Sequence, residues 1–323
     1  MVSVDIELLR RRHEVHVVDV RIAKQHPLRT AVSVVRLAML AAWADVLFVW
    51  FADLHAYAAV RLGRLISRPS LVVVGGYEVA DNPEIGYGLL ADPAMAPYVS
   101  YTLRHADRLL AVDEGLLCDG ERFLHERPST WMVIPTGYDP VRFSPNGEKE
   151  DLVLTVFGGD NTARARLKGV DTFLGAAKRL PGLRFTVVGV DGEAEVWLRG
   201  QATPNVEFVP LIDQERLIGY YRRAKVYAQL SLREGLPNAV CEAMLCECVP
   251  VGTQVQGITT AMGPIGFYTP VGDADACADA ITQAMASDQG PAARERIATL
   301  FPLERRATEL LALIDEVVSQ RGR

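Results

Sequence analysis

Short apolar runs separated by amphipathic stretches recur along the whole chain, and they fall into two series. Residues 15–20, 46–50, 71–74, 108–112 and 131–134 form the first, and residues 152–157, 184–188, 206–209, 225–230 and 249–251 the second. Runs this short, spaced by helix-length segments, are the pattern of parallel β-α units whose strands are covered on both faces. Two series within 323 residues predict an α/β protein of two Rossmann-like domains facing across a cleft, because single cores stop growing near this length. Between the series, residues 135–149 carry Pro135, Gly137, Pro140, Pro145 and Gly147 ahead of a run of charges, which reads as a linker. The expected division is an N-terminal domain over residues 1–145 and a C-terminal domain over 146–300.

The first series opens awkwardly. Residues 4–12 have the pattern of the first helix of an α/β domain, and nothing ahead of them supplies the strand that is usually central in such a sheet. No basic stretch followed by an apolar one marks a secretory signal, so a cytoplasmic location is expected. The most apolar segment, residues 43–60, is interrupted by Asp45, Asp53 and His55, and therefore reads as a strand followed by a helix rather than a membrane span. Attachment at the inner face of a membrane stays compatible with this. A net charge of -6 gives no general reason to bind nucleic acid, although Arg10, Arg11 and Arg12 form a local basic cluster. Five cysteines, at 118, 241, 246, 248 and 277, lack the paired spacing of a zinc site and are expected to be reduced and mostly buried.

The segment LSLREGLPNAVCEAM, residues 230–244, holds Glu234 and Glu242 with seven residues between them. Pro237 suits a first helical position, which places Glu234 in the loop ahead of the helix and Glu242 about one turn inside it. Backbone amides of residues 235–238 at such a helix start can receive a diphosphate. Glu242 lies off the apolar stripe of Ala239, Val240, Ala243 and Met244, and can meet hydroxyl groups in a cleft. Two carboxylates that merely support a helix start would leave the same trace. Earlier in the chain, Gly75 and Gly76 end a strand and are followed by Tyr77 and Glu78; they fit either a tight turn or the close approach of a ligand. Asp273-Ala-Asp275 matches a metal-binding Asp-x-Asp signature, but its place at a helix opening favours capping, and no metal is expected.

Taken in order, VIPTGYDPVRFSP (133–145), LKGVD (167–171), FTVVG (185–189), VEFVPL (206–211), YYRRAKV (220–226) and the two-glutamate segment resemble the retaining glycosyltransferase family 4, the glycosyl transferases group 1, of GT-B fold. The likeness covers roughly the C-terminal 190 residues. It implies transfer of a sugar from a UDP- or GDP-type nucleotide diphosphate donor to a hydroxyl acceptor, with retention of configuration and no cofactor. Glu234 would touch the donor sugar, Glu242 the ribose, and Gly235, Leu236, Pro237 and Asn238 the phosphates. Lys168, beside Gly169, would neutralise the departing diphosphate together with an arginine. The usual Gly-Arg pair is replaced by Gly158-Gly159-Asp160, leaving Arg164 in preference to Arg166. Base contacts would come near Gly189 and Leu211, and acceptor contacts from Gly76, Tyr77 and Glu78. Residues 301–323 resemble the closing helix that packs back on the N-terminal domain. The glycine-rich loop after the first strand is absent, and a later Gly-Gly-Glu appears only as Gln256-Gly257-Ile258. A lipid-linked or other saccharide acceptor is expected. A nucleotide-sugar epimerase and a non-catalytic donor- or partner-binding homologue are the alternatives.

Overall fold

A computed structural model describes residues 1–20, 27–83 and 86–321. The chain divides into two compact units, Met1–Gly137 with Glu304–Arg323, and Tyr138–Leu303.

The first unit is built on four parallel strands in sequence order, β1 (Leu47–Trp50), β2 (Ser70–Val74), β3 (Arg108–Ala111) and β4 (Trp131–Val133). All five residues of β2 are buried, as expected of a strand with neighbours on both edges and helices on both faces. The helices Leu54–Leu65, Ala96–His105 and Glu114–Leu124 make the connections, the first and last of them capped by Asp53 and Asp113.

Residues 15–20 do not form the expected strand: residues 14–20 carry no secondary structure. A strand needs a ladder neighbour, and β1 closes its side of the sheet among the described residues. Val18 and Val20 instead pack by their side chains against Leu37, Ala41, Leu47 and Ala59.

The first and last helices are pinned within this unit. Arg306, fully buried, donates from Nε and Nη2 to the two oxygens of the equally buried Asp5 at 2.7 and 2.6 Å. Its Nη1 donates to the carbonyls of Ile134 and Pro135, and Trp50 Nε1 donates to the same carboxylate. The basic cluster at residues 10–12 is used nearby, with Arg11 paired to Glu304 and Arg12 to Asp315.

The second unit has six parallel strands, β5 (Glu150–Gly159), β6 (Arg184–Val190), β7 (Val206–Val209), β8 (Ala224–Gln229), β9 (Val249–Thr253) and the unanticipated β10 (Phe267–Thr269). Their order is β10-β9-β8-β5-β6-β7. Consecutive strands run outward from β5 on one side and from β8 on the other, so the order reverses between these two. In open parallel sheets that switch point, at the carboxyl ends of the strands, is where the connecting loops diverge and leave a crevice.

On one face of the sheet the core joins Val153, Phe185, Val187, Val226 and Val249 to Phe173 and Ile281 of the covering helices. Four cysteines are buried in this unit and Cys118 of the first unit is exposed; all five are free thiols. The expected linker is partly ordered against this unit: Tyr138 donates its amide to Phe301 and accepts from the amide of Leu303.

Candidate active site

The carboxyl ends of β5 and β8 gather most of the residues singled out from the sequence. β5 ends in Gly158 and Gly159, and Gly158 takes a positive φ of 59°. At the end of β6, Gly189 lies so near that a Cβ there would sit 2.8 Å from the Gly158 nitrogen. The two glycines therefore line an open backbone edge that larger residues would fill. Leu211, 77% exposed, overhangs Gly189.

A short helix, Thr162–Leu167, follows β5, capped by the Asn161 side chain on the Arg164 amide. Lys168 closes that helix, and Gly169, at φ 66°, starts the next, Val170–Arg179. A Cβ on Gly169 would lie 2.1 Å from the carbonyl oxygen of Leu230, and the Leu232 amide donates to Leu167 O at 2.8 Å. These contacts bring the loop after β8 directly against Lys168.

The result is a compact charged network. Lys168 Nζ donates to Glu234 Oε1 at 2.5 Å, with 22% and 12% of the two side chains exposed. The same oxygen accepts from Ser231 Oγ at 2.6 Å and from Gln229 Nε2 at 2.9 Å. Tyr227 in turn donates its hydroxyl to Gln229 Oε1, which fixes the orientation of that amide. Burial pushes the Tyr227 phenol well above its ordinary pKa, so it remains a donor. Thr253, at the end of β9, holds the Ser231 carbonyl at 2.6 Å. Glu234 is thus oriented by buried groups while its lysine partner stays reachable from solvent.

The helix after Glu234 is Asn238–Leu245, with Pro237 as its N-cap rather than its first residue. Pro237 has no amide hydrogen to leave unsatisfied there, and its φ of -75° suits either position. Gly257 closes against the Glu234-Gly235 turn: its φ is 82°, and a Cβ would fall 1.5 Å from Gly235 O. The Gln256-Gly257 segment thereby keeps a close backbone approach to this turn even without the expected second glycine and glutamate. Tyr138 donates to Asn238 Oδ1 at 2.9 Å.

Glu242 lies inside the helix and is partly buried, held by Gln214 Nε2 at 3.0 Å and the Tyr221 hydroxyl at 3.2 Å. Burial raises its pKa from 4.5 to about 7, against the opposing pull of those two donors. It is therefore a proton-holding group near neutrality rather than a fully exposed carboxylate.

Arg164 is exposed and packs its Cδ over Gly159, whereas Arg166 lies over the ring of Trp197 at 5.4 Å. Asp273 caps the helix Ala274–Met285 through the amides of Asp275 and Ala276, and Asp275 pairs with Arg179. Both aspartates thus have structural duties.

In the first unit, the strand-end glycines form a turn closed on itself. Glu78, 2% exposed, accepts from the amides of Gly75 at 3.0 Å and Gly76 at 2.9 Å, and burial raises its pKa. Gly76 has φ 141°. Tyr77 is exposed and edges onto Tyr87. Nearby, His55 faces Asp53 Oδ1 at 2.8 Å and Trp50 O at 2.7 Å; burial opposes its charging, but these acceptors outweigh it and raise its pKa.

Gln229, Ser231 and Tyr227 were not anticipated as members of the site, nor were Gln214 and Tyr221. The available signal is a polar alternation, Lys225, Tyr227, Gln229 and Ser231, opposite the apolar Ala224, Val226, Ala228 and Leu230.

Residues 153–287 match the family model described as Glycosyl transferases group 1. That match, over less than half of the chain, is a likeness to the family. The matched segment spans β5 to the helix Ala274–Met285 and contains Lys168, Glu234 and Glu242. A curated relative, D-inositol 3-phosphate glycosyltransferase of Mycolicibacterium smegmatis, is 26% identical over 265 residues, covering 75% of this chain and 55% of its own length. The chain thus spans little more than half of that relative. Among solved structures, sucrose-phosphate synthase from Thermosynechococcus elongatus superposes with a TM-score of 0.77 at 20% identity, covering 93% of this chain and 81% of that one. Anabaena HepE in complex with UDP gives 0.72 at 16% identity, covering 96% and 89%. The fold is the α/β GT-B class, with two parallel-sheet units.

No helix among the described residues is long and apolar enough to cross a membrane.

Proposed function

We propose that the protein is a glycosyltransferase that takes a sugar from a nucleotide diphosphate donor bound by the second unit and passes it to a hydroxyl acceptor. The observation that carries this reading is the Lys168–Glu234 pair, braced by Gln229 and Ser231, at the strand-order reversal of the matched segment. UDP is the first base to test, since HepE has been solved with UDP and with UDP-glucose.

When the donor enters, its diphosphate takes Lys168 from Glu234, and Arg164 adds a second positive charge from the same side. Gly158, Gly159 and Gly189 admit the nucleotide close to the backbone, with Leu211 against the base. Gly235, Leu236, Pro237 and Asn238 line the phosphates. Released by the lysine but still held by Ser231 and Gln229, Glu234 Oε1 accepts from a sugar hydroxyl, and Glu242 meets the ribose.

The bond from the anomeric carbon to the diphosphate breaks as the acceptor oxygen approaches on the same face. The acceptor proton passes to the leaving phosphate, so configuration is retained. Lys168 and Arg164 supply the charge stabilisation a departing diphosphate needs, and no metal is required for that role. In the first unit, the exposed Tyr77 and the Gly76 turn are proposed on the acceptor side, with Glu78 shaping that turn.

The test is calorimetric titration of the purified chain with UDP, GDP, ADP and their glucose conjugates in the presence of a chelator. Selective binding of one nucleotide diphosphate, lost in Glu242→Ala, supports the donor site. Failure of every nucleotide, or unchanged binding in the variant, overturns the assignment. Once an acceptor is found, the anomeric proton coupling of the product decides retention.

A further inference from the structure

The helix Pro27–Trp43 buries Leu37 and Ala41 against the rest of its unit, and turns a second apolar stripe outward. Val32 is 68% exposed, Val35 56%, Met39 62% and Trp43 49%. Steps of three and four residues place these four on one helix face. Arg36, also exposed, borders the same face about halfway along it. Trp43 ends the stripe, its ring set edge-on to His16 at 4.4 Å.

The sequence around the stripe has a charge unlike the chain as a whole. Between Asp19 and Asp45 there is no acidic residue, but there are Arg21, Lys24, Arg29 and Arg36, in a chain whose net charge is -6. We propose that this helix seats the protein on an anionic lipid surface, lying in the plane of the interface. Val32, Val35 and Met39 would enter the acyl boundary, Trp43 the headgroup level, and Arg36 would meet lipid phosphates. Self-pairing of the stripe in a second copy is disfavoured by the same charge, because a two-fold contact would bring Arg36 against its own counterpart. The inference is independent of the glycosyl-transfer reading.

The experiment is co-sedimentation of the full chain with vesicles of phosphatidylglycerol and phosphatidylcholine, beside vesicles of phosphatidylcholine alone, at low and high salt. The expected result is binding to the anionic vesicles that weakens with salt. The double substitution Val35→Gln, Met39→Gln, which removes apolar contact but keeps good helix formers, should reduce it by about tenfold or more. Arg36→Glu should act in the same direction. Circular dichroism and thermal unfolding check that both variants keep the fold, and Val196→Gln, at an exposed site in the second unit, should leave binding unchanged. No sedimentation with anionic vesicles, or sedimentation indifferent to both helix variants, overturns the proposal. So does a wild-type dimer that the double variant turns into a monomer without any vesicle binding.

Discussion

Both units end a buried parallel strand near glycine and place a glutamate a few residues on, yet the two carboxylates have different partners. After β2, Glu78 folds back on the amides of Gly75 and Gly76 and is almost wholly buried. After β8, Glu234 is held by side chains from its own strand and by a lysine from another element. The first carboxylate replaces a ligand for its own turn, occupying the amides that a bound anion would use. The second is paired with a cation that a stronger anion can draw away, while two neutral donors remain to hold it. Position at a strand end therefore does not distinguish these two carboxylates; the exchangeability of their partners does.

The largest expected effect tests that exchangeability directly. Lys168→Ala should lower turnover by about 10²–10³-fold with little change in the dissociation constant of the nucleotide diphosphate, measured by steady-state kinetics beside calorimetry. An equal loss in affinity and turnover would make the lysine a ground-state binder. The next contrast is one of stability. Glu78→Gln should cost about 1–3 kcal/mol in urea unfolding, because one of two buried amides would face an NH2 group instead of an oxygen. Glu234→Gln should cost less than Glu78→Gln and lose activity, and a reversal of that order would refute the comparison.

A third measurement uses pH. Glu242 has its pKa raised from 4.5 to about 7, so between these values the folded chain holds more protons than the unfolded one. Its contribution to stability is complete at low pH and is lost as pH rises through about 7, a dependence that Glu242→Gln should remove. If ribose hydroxyls donate to this carboxylate, donor affinity should rise over the same interval in the wild type and stay flat in the variant. The smallest effect separates two arginines: Arg164→Ala should reduce turnover about tenfold, whereas Arg166→Ala, stripped only from the Trp197 face, should leave it nearly unchanged.

Much of the second unit is legible because its strands are short, largely apolar runs and its turns carry glycine. Segments such as 206–209 needed no tertiary knowledge to place. β10 escaped because three residues, Phe267, Tyr268 and Thr269, are too few to show a period. The opposite error occurred at residues 15–20, where β propensity was present but a ladder partner was not. Within the site, charged residues are legible in the sequence and buried neutral ones are not. Gln229 and Ser231 act on Glu234 across short spacings in sequence, but only burial reveals that their hydrogen bonds have nowhere else to go. Glu242 showed its spacing in the sequence, whereas the shift in its pKa depends on Tyr221 and Gln214 closing around it.

The buried pair between Asp5 and Arg306 joins residues 301 positions apart. During synthesis Asp5 is made 301 residues ahead of Arg306 and waits for its cation until the segment between them has been assembled. Residues 138–303 form an uninterrupted unit and can acquire their structure while that wait continues. The segment around Asp5 is then finished after the unit that follows it, and a nascent chain arrested before Arg306 leaves a carboxylate without the guanidinium that neutralises it. Pulse proteolysis of ribosome-bound chains of increasing length would reveal that order as protection of the middle segment ahead of the first.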